Sequence, residues 1–134
     1  MGIIGDLVKL GIKLLLIDVQ VNSIHFSDGI FERDKLPFVP LNEMQATVIS
    51  CEDSRNFLAQ LGIAGTIIHA PSHSADSVCV VMDNGDCIVG DLDPFDYIGA
   101  YEDNTQLRKD WDSIFQFHPK RILYAHMPER IIQK

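Results

Sequence analysis

Apolar positions alternate along the chain between helical and strand periods, and the first clear element is helical. Ile3, Ile4, Leu7, Val8 and Leu10 fall at i, i+1, i+4 and i+5 spacing, the stripe of an amphipathic helix. Gly11 fits the left-handed position that ends it. Residues 13–19 are apolar except at their ends, as in a buried strand. Residues 20–44 carry a weaker rhythm. Ser27-Asp28-Gly29 reads as a turn joining short strands at 23–26 and 30–33, and Pro37 and Pro40 confine 36–41 to an edge strand or loop. After a short strand at 46–49, Ser50-Cys51-Glu52-Asp53 reads as a capping box. It opens a helix that turns Phe57, Leu58 and Leu61 inward and stops at Gly62. Leu61-Gly62-Ile63 echoes Leu10-Gly11-Ile12, a shared way of ending a helix rather than a repeat.

The centre of the chain is residues 70–92, APSHSADSVCVVMDNGDCIVGDL. A strand at 66–69 delivers a loop carrying His73. Residues 78–83 and 86–90 are apolar and β-branched, with Asn84-Gly85 between them, the sequence of a two-residue hairpin turn. In a type I′ turn Asp83 faces Asp86, Val81 faces Ile88 and Cys79 faces Gly90. That register puts Cys87 on the face opposite Cys79. The returning strand ends at Asp91, so the hairpin carries the chain back towards His73. A loop at Asp93-Pro94-Phe95-Asp96 follows. A helix from about Asp103 to Phe117 then shows Leu107, Trp111, Ile114 and Phe115 as its apolar stripe, and Pro119 closes it. Residues 121–125 form a last apolar strand ending at His126, and Pro128 fits the start of a short terminal helix with Arg130 and Lys134 near its end.

Composition narrows the classes. With 134 residues, 46% hydrophobic and 22% charged, the chain reads as one α/β domain spanning 1–134. The longest greasy run, 12–19, is too short to cross a bilayer and is broken by Lys13 and Asp18. No secretory signal opens the sequence, and it reads as cytoplasmic. Three cysteines without a C-x-x-C argue against a disulfide framework, a thiolate zinc site or a thiol enzyme. The net charge of −8 concentrates in residues 45–100, where Arg55 is the one base among many aspartates. That excludes nucleic acid and anionic membrane as partners and suits a bound cation. Most of these aspartates read as turn residues.

His73, Asp91 and His126 each stand beside a predicted strand end, flanked by glycine, proline or small residues. Such edges are where loops converge on ligands. A His and an Asp brought together there supply half of a metal site or half of an acid–base pair. Neutral imidazole and carboxylate are ligands for zinc, manganese or iron. His25 and His118 read as surface residues, and His69 as a packed or supporting one.

Three segments in this order, Pro71-Ser72-His73-Ser74 with Asp76-Ser77, then Gly90-Asp91-Leu92 after the hairpin, then Tyr124-Ala125-His126-Met127-Pro128, resemble the second half of the metallo-β-lactamase superfamily. Ser72 stands where glycine is usual, and Ala125 and Met127 stand beside the last His in place of glycines. The superfamily's upstream H-x-H-x-D-H is absent, since no two histidines here lie two positions apart. The resemblance implies the C-terminal half of an αβ/βα sandwich, a mixed sheet with helices on one face. It implies a metal set in which His73 serves one ion, Asp91 bridges and His126 serves the other. It also implies a hydrolase of small molecules in which metal-activated water attacks an ester, amide or phosphoester. No catalytic residue beyond the ligands is named. With only half the ligands, the chain alone is expected to be inactive and to bind zinc, manganese or iron weakly or not at all. Its apolar strands at 13–19, 78–82 and 121–125 are expected to leave a sheet face needing a cover, either a second copy or the missing N-terminal half. The alternative expectation is a non-catalytic module that keeps the fold for self-association.

Overall fold

The first helix-then-strand pattern folds as its periodicity predicts, and the end of the helix shows why. In the computed structural model, which describes residues 3–100 and 104–132, α1 spans Ile4–Lys9. Its end is a Schellman motif: Gly11 sits at φ +86°, its N–H bonds to the Val8 carbonyl, and Ile12 N–H bonds to the Leu7 carbonyl. The chain divides into two compact units, residues 1–50 and 51–134.

In the first unit, β1 (Leu14–Ile17) pairs in parallel with β2 (Ala46–Ile49), Leu14 opposite Ala46 and Ile17 opposite Ile49. The strand stops earlier than its apolar run because side chains take over the backbone donors. Gln20 accepts the Ile17 N–H at 3.1 Å and Asp18 accepts the Val19 N–H at 2.8 Å, curling Asp18–Ser23 into a 3-10 segment. The turn expected at Ser27-Asp28-Gly29 is instead the start of α2 (Asp28–Arg33), and no strand forms at 23–26 or 30–33. Asp28 lies in the first turn, where a carboxylate favours the helix dipole. Lys35, at φ +53°, ends α2 by the same Schellman device. Residues 36–41 form a loop with no strand, and Phe38 stacks on Phe31 at 5.4 Å between ring centroids.

The second unit opens with α3 (Ser54–Gln60), three residues later than the capping box at Ser50 predicts; Asp53 is its N-cap. Ser54 is fully buried. Its hydroxyl donates to the Cys51 carbonyl and accepts the Ile67 N–H at 2.9 Å, tying the helix start to the strand beside it. Of the three residues expected inward, Leu58 is buried, Phe57 is half-buried and Leu61 is exposed. Gly62 (φ +77°) ends the helix as Gly11 ends α1, with Ile63 N–H bonded to the Leu58 carbonyl.

A five-stranded mixed sheet follows in the order β3 (Gly65–His69), β4 (Val78–Met82), β5 (Asp86–Gly90), β6 (Arg121–Tyr124), β7 (Arg130–Ile131). β3 and β4 pair antiparallel, as do β4 and β5; β5 and β6 are parallel; β6 and β7 are antiparallel. The hairpin register differs by one residue from the two-residue turn. Val81 faces Cys87 and Val80 faces Ile88, with Asp83-Asn84-Gly85 outside the ladder. A type I′ turn needs positive φ at both Asn84 and Gly85, and here only Gly85 (φ +100°) has it. Asp83 N–H is held by the Ala64 carbonyl, and the Asp83 carboxylate by both terminal nitrogens of Arg55, so it continues the pairing with the β3 side. The slip places Cys79 and Cys87 on the same face. Both are buried and both remain free thiols.

That face packs on α4 (Thr105–Phe115), whose expected start at Asp103 lies outside the described residues. Cys79, Val81, Cys87, Val89 and Ile122 from the sheet meet Leu107, Trp111 and Ile114, with Phe115 partly buried against them. The opposite face carries an in-register row, Ile67, Val80, Ile88 and Leu123, in which Ile88 is 47% exposed. His118 takes φ +52° at the end of α4, just before Pro119. The terminal helix expected at Pro128 does not form. Arg130–Ile131 adds an edge strand to β6 instead, held by Ile132 N–H on the Lys120 carbonyl and by an Arg130–Asp96 ion pair. Arg130 also lies 4.3 Å over the Phe95 ring. Lys134 lies outside the described residues. No helix among the described residues is long and apolar enough to cross a membrane.

Candidate metal centre

Strand direction decides where the three candidate residues emerge. β3, β5 and β6 run the same way, so their C-terminal ends share one edge of the sheet. His73 follows β3, Asp91 follows β5, and His126 follows β6. For the last two the coupling is direct. Gly90 is registered opposite Tyr124, and the Ala125 N–H bonds to the Gly90 carbonyl at 2.9 Å. A register irregularity lies between Ile88 and Gly90, and Gly90 takes φ +61°, a conformation glycine reaches without steric cost. This kink turns the chain out of the ladder at the residue before Asp91.

Asp91 and His126 then meet, with Nε2 of the imidazole 3.4 Å from a carboxylate oxygen. His126 is largely exposed and Asp91 about half so, which leaves the pair open to solvent. His73 lines the same open hollow of about 540 Å³, walled also by Asp93, Pro94, Tyr97 and Met127. Asp93, Pro94 and Tyr97 thus cover one side of the hollow, and Phe95–Gly99 forms a 3-10 turn there. Among the described residues no three His, Cys, Asp or Glu side chains are placed to hold one ion together. The sequence-derived trio shares a hollow, two of its members touch, and the third lines the wall.

The loop 70–77 is tightly bonded. Ala70 N–H bonds to the Ser77 carbonyl, Ser77 N–H to the Ser74 carbonyl, and Ser74 N–H to the Ser77 hydroxyl. His69, at the end of β3, is exposed rather than packed, and its Nε2 meets the Ala75 carbonyl at 2.8 Å. Ser72 has a buried hydroxyl with no partner among the described residues. Its backbone N–H bonds across to the Asp110 carboxylate at 2.8 Å. The next residue of α4, Trp111, donates its indole N–H to the Asp93 carbonyl at 2.8 Å. Asp110 is absent from the predicted apolar stripe, yet it is only 3% exposed. The signal was its spacing: 107, 110, 111 and 114 lie on one helical face, and a lone acid there breaks the pattern.

The remaining histidines lie elsewhere. His25 contacts Asp28 at 2.8 Å and Glu43 at 3.4 Å within the first unit, on a turn rather than the strand expected. His118 is exposed at the helix end. The buried thiols of Cys79 and Cys87 are pushed up to about 12 by desolvation, which leaves them protonated and poor ligands.

No protein-family model matches the sequence, and no curated protein sequence does. Among solved structures the chain is similar to TTHA1623 in a di-iron-bound form, with a TM-score of 0.66 and 19% identity. The match covers 97% of this chain and 65% of the other, so this chain spans somewhat less than two-thirds of that protein's length. The two share a fold.

Proposed function

We propose that this chain is the C-terminal portion of a metal-dependent hydrolase of metallo-β-lactamase fold, with His73, Asp91 and His126 as its metal ligands. The observation that carries the reading is the convergence of three separate chain segments on one hollow, with Asp91 and His126 in contact. The donor set of two imidazoles and one carboxylate suits zinc, manganese or iron. The likeness to a di-iron-bound structure supports a metal and makes iron the first to test. A bound metal supplies a hydroxide near neutral pH and polarises a carbonyl or phosphoryl oxygen. The chain's own contribution is placement: Gly90 aims Asp91, the β5–β6 ladder sets His126 beside it, and the bonded 70–77 loop presents His73. Tyr97 and Met127 offer an apolar wall to a small-molecule substrate.

Metal analysis of the chain after anaerobic exposure to Fe²⁺, and separately to Zn²⁺, tests the reading. Uptake that falls on Asp91→Asn and on His126→Ala is expected. Uptake unchanged by both substitutions overturns the assignment. Esterase and phosphodiesterase substrates are expected to show no turnover by this chain alone. The second reading, a non-catalytic module that self-associates, draws on the aliphatic row of Ile67, Val80, Ile88 and Leu123 with its half-exposed Ile88. Light scattering at rising concentration distinguishes it: a dimer that Ile88→Lys dissociates favours that reading.

A further inference from the structure

A carboxylate on the apolar face of a helix that packs against a sheet is out of place. Asp110 occupies such a position in α4, between Leu107 and Ile114 and next to Trp111, with nine-tenths of its surface buried. Among the described residues no cation pairs with it. Its two oxygens accept one N–H each: Gln106 Nε2, one turn back on the same helix, and the backbone N–H of Ser72, 38 residues away in sequence. Gln106 is itself exposed, so a bond to it gives no reason to bury the acid. The Ser72 bond does, because Ser72 is followed directly by His73.

The loop needs that tie. Its 74–77 end is closed by its own bonds, Ser77 to Ser74 and Ser74 to Ser77. The 71–73 end is crossed to the rest of the fold through Ser72 N–H. A hydrogen bond to an ionised acceptor is stronger than one between neutral groups, and weak local dielectric strengthens it further. The following helix residue acts on the other side of the hollow, since Trp111 holds the Asp93 carbonyl two residues after Asp91. One step of α4 therefore grips both loops that carry candidate ligands.

The geometry points to Asp110 as a positioning residue, fixing the loop that presents His73 by accepting the Ser72 N–H. Its effect on metal binding rests on the metal-site reading above; its effect on the loop does not. Two substitutions separate the parts. Asp110→Leu keeps the apolar stripe and removes the acceptor. Asp110→Asn keeps the shape and one acceptor oxygen. Amide hydrogen exchange at Ser72 is measured by NMR in the full chain without metal, and Zn²⁺ affinity by competition titration. Asp110→Leu is expected to speed exchange at Ser72 at least tenfold while exchange at core amides such as Ile122 changes far less. Asp110→Asn is expected to fall between Leu and the wild type. Zn²⁺ affinity is expected to drop roughly tenfold to a hundredfold with Leu, as when a supporting partner of a metal ligand is lost, and to be partly restored with Asn. Unchanged Ser72 exchange in Asp110→Leu overturns the proposal. If that variant does not fold, Asp110→Asn decides: a severalfold faster exchange confined to Ser72 and His73 supports the role, and wild-type exchange there refutes it. Faster exchange at Ser72 in a chain that takes up no Zn²⁺ leaves the positioning role standing and removes the metal reading.

Discussion

Trp111 joins core packing to the shape of the hollow, so its replacement gives a quantitative test of the fold. The side chain is fully buried, packs edge-on against Phe95 at 5.4 Å and lies tilted against Phe115 at 5.5 Å, and donates to the Asp93 carbonyl. Trp111→Phe removes two buried ring carbons and the N–H. The carbons are worth roughly 1.6 kcal/mol at about 0.8 per buried carbon group, and the space they leave adds to that. The lost hydrogen bond costs about 1 kcal/mol net, because Asp93 lies at the surface and water can reach its carbonyl. The sum is about 3 kcal/mol, a large share of the roughly 5–15 kcal/mol that stabilises a domain. Urea denaturation followed by far-UV circular dichroism measures it without relying on tryptophan fluorescence. With a slope of about 2 kcal/mol per molar urea, the midpoint should fall by about 1.5 M. A benzothiophene analogue of tryptophan at 111, which keeps the ring shape and deletes only the donor, should fall by about a third of that. A midpoint shift under about 0.3 M for Trp111→Phe, on the same slope, would refute the packing and the bond to Asp93 together.

Three further outcomes are expected. In native protein at pH 8, a thiol reagent should label Cys51 and leave Cys79 and Cys87 untouched until denaturant is added, because burial holds both in the protonated form; rapid labelling of all three contradicts the core. Arg121 beside Asp86, and Arg55 beside Asp83, hold those carboxyls below the usual range, so their stabilisation is present at neutral pH and is lost as pH falls through the lowered folded values. Urea midpoints measured from pH 6 down to pH 2 should drop less steeply in Asp86→Asn than in the wild type. Gly90→Ala meets no atom within 4 Å at the new Cβ but must hold φ +61°, costing about 1–2 kcal/mol; Gly90→Asn should cost less, and equal losses for both would argue against the left-handed conformation.

How far the sequence disclosed this fold can be judged at individual residues. The helix stripe of α4, the strands expected at 46–49, 66–69 and 121–125 (the last ending one residue sooner, at Tyr124), and the glycines ending α1 and α3 were legible because periodicity and left-handed glycine are local properties. The hairpin strands were legible and their register was not. Asn84-Gly85 favours a two-residue turn, but Asp83 is drawn to Ala64 and Arg55, contacts made by chain far away. α2 was misread for a similar reason: Ser27-Asp28-Gly29 suits a turn or a helix start, and the neighbours decide. β7 is two residues long and exists because β6 offers an open edge. For the site, His73, Asp91 and His126 were placed by their strand ends, and all three line one hollow. Asp110 escaped because an acid in a helix is usually read as solvent-facing, and only the packing of α4 on the sheet shows it turned inward.

The parallel pairing of β5 with β6 works as a ruler. Gly90 and Tyr124 are rungs of one ladder, a single inter-strand step of roughly 4.8 Å apart, so Asp91 and His126 leave the sheet one and two residues beyond a fixed rung. The stretch of chain joining the two strands does not enter that measurement. The mouth of the hollow, where Pro94 and Tyr97 lie, can therefore be reshaped while Asp91 and His126 keep their distance, provided Phe95 stays on Trp111 and Asp96 on Arg130. Substitutions at Tyr97 alone would vary what enters without moving the pair beside it.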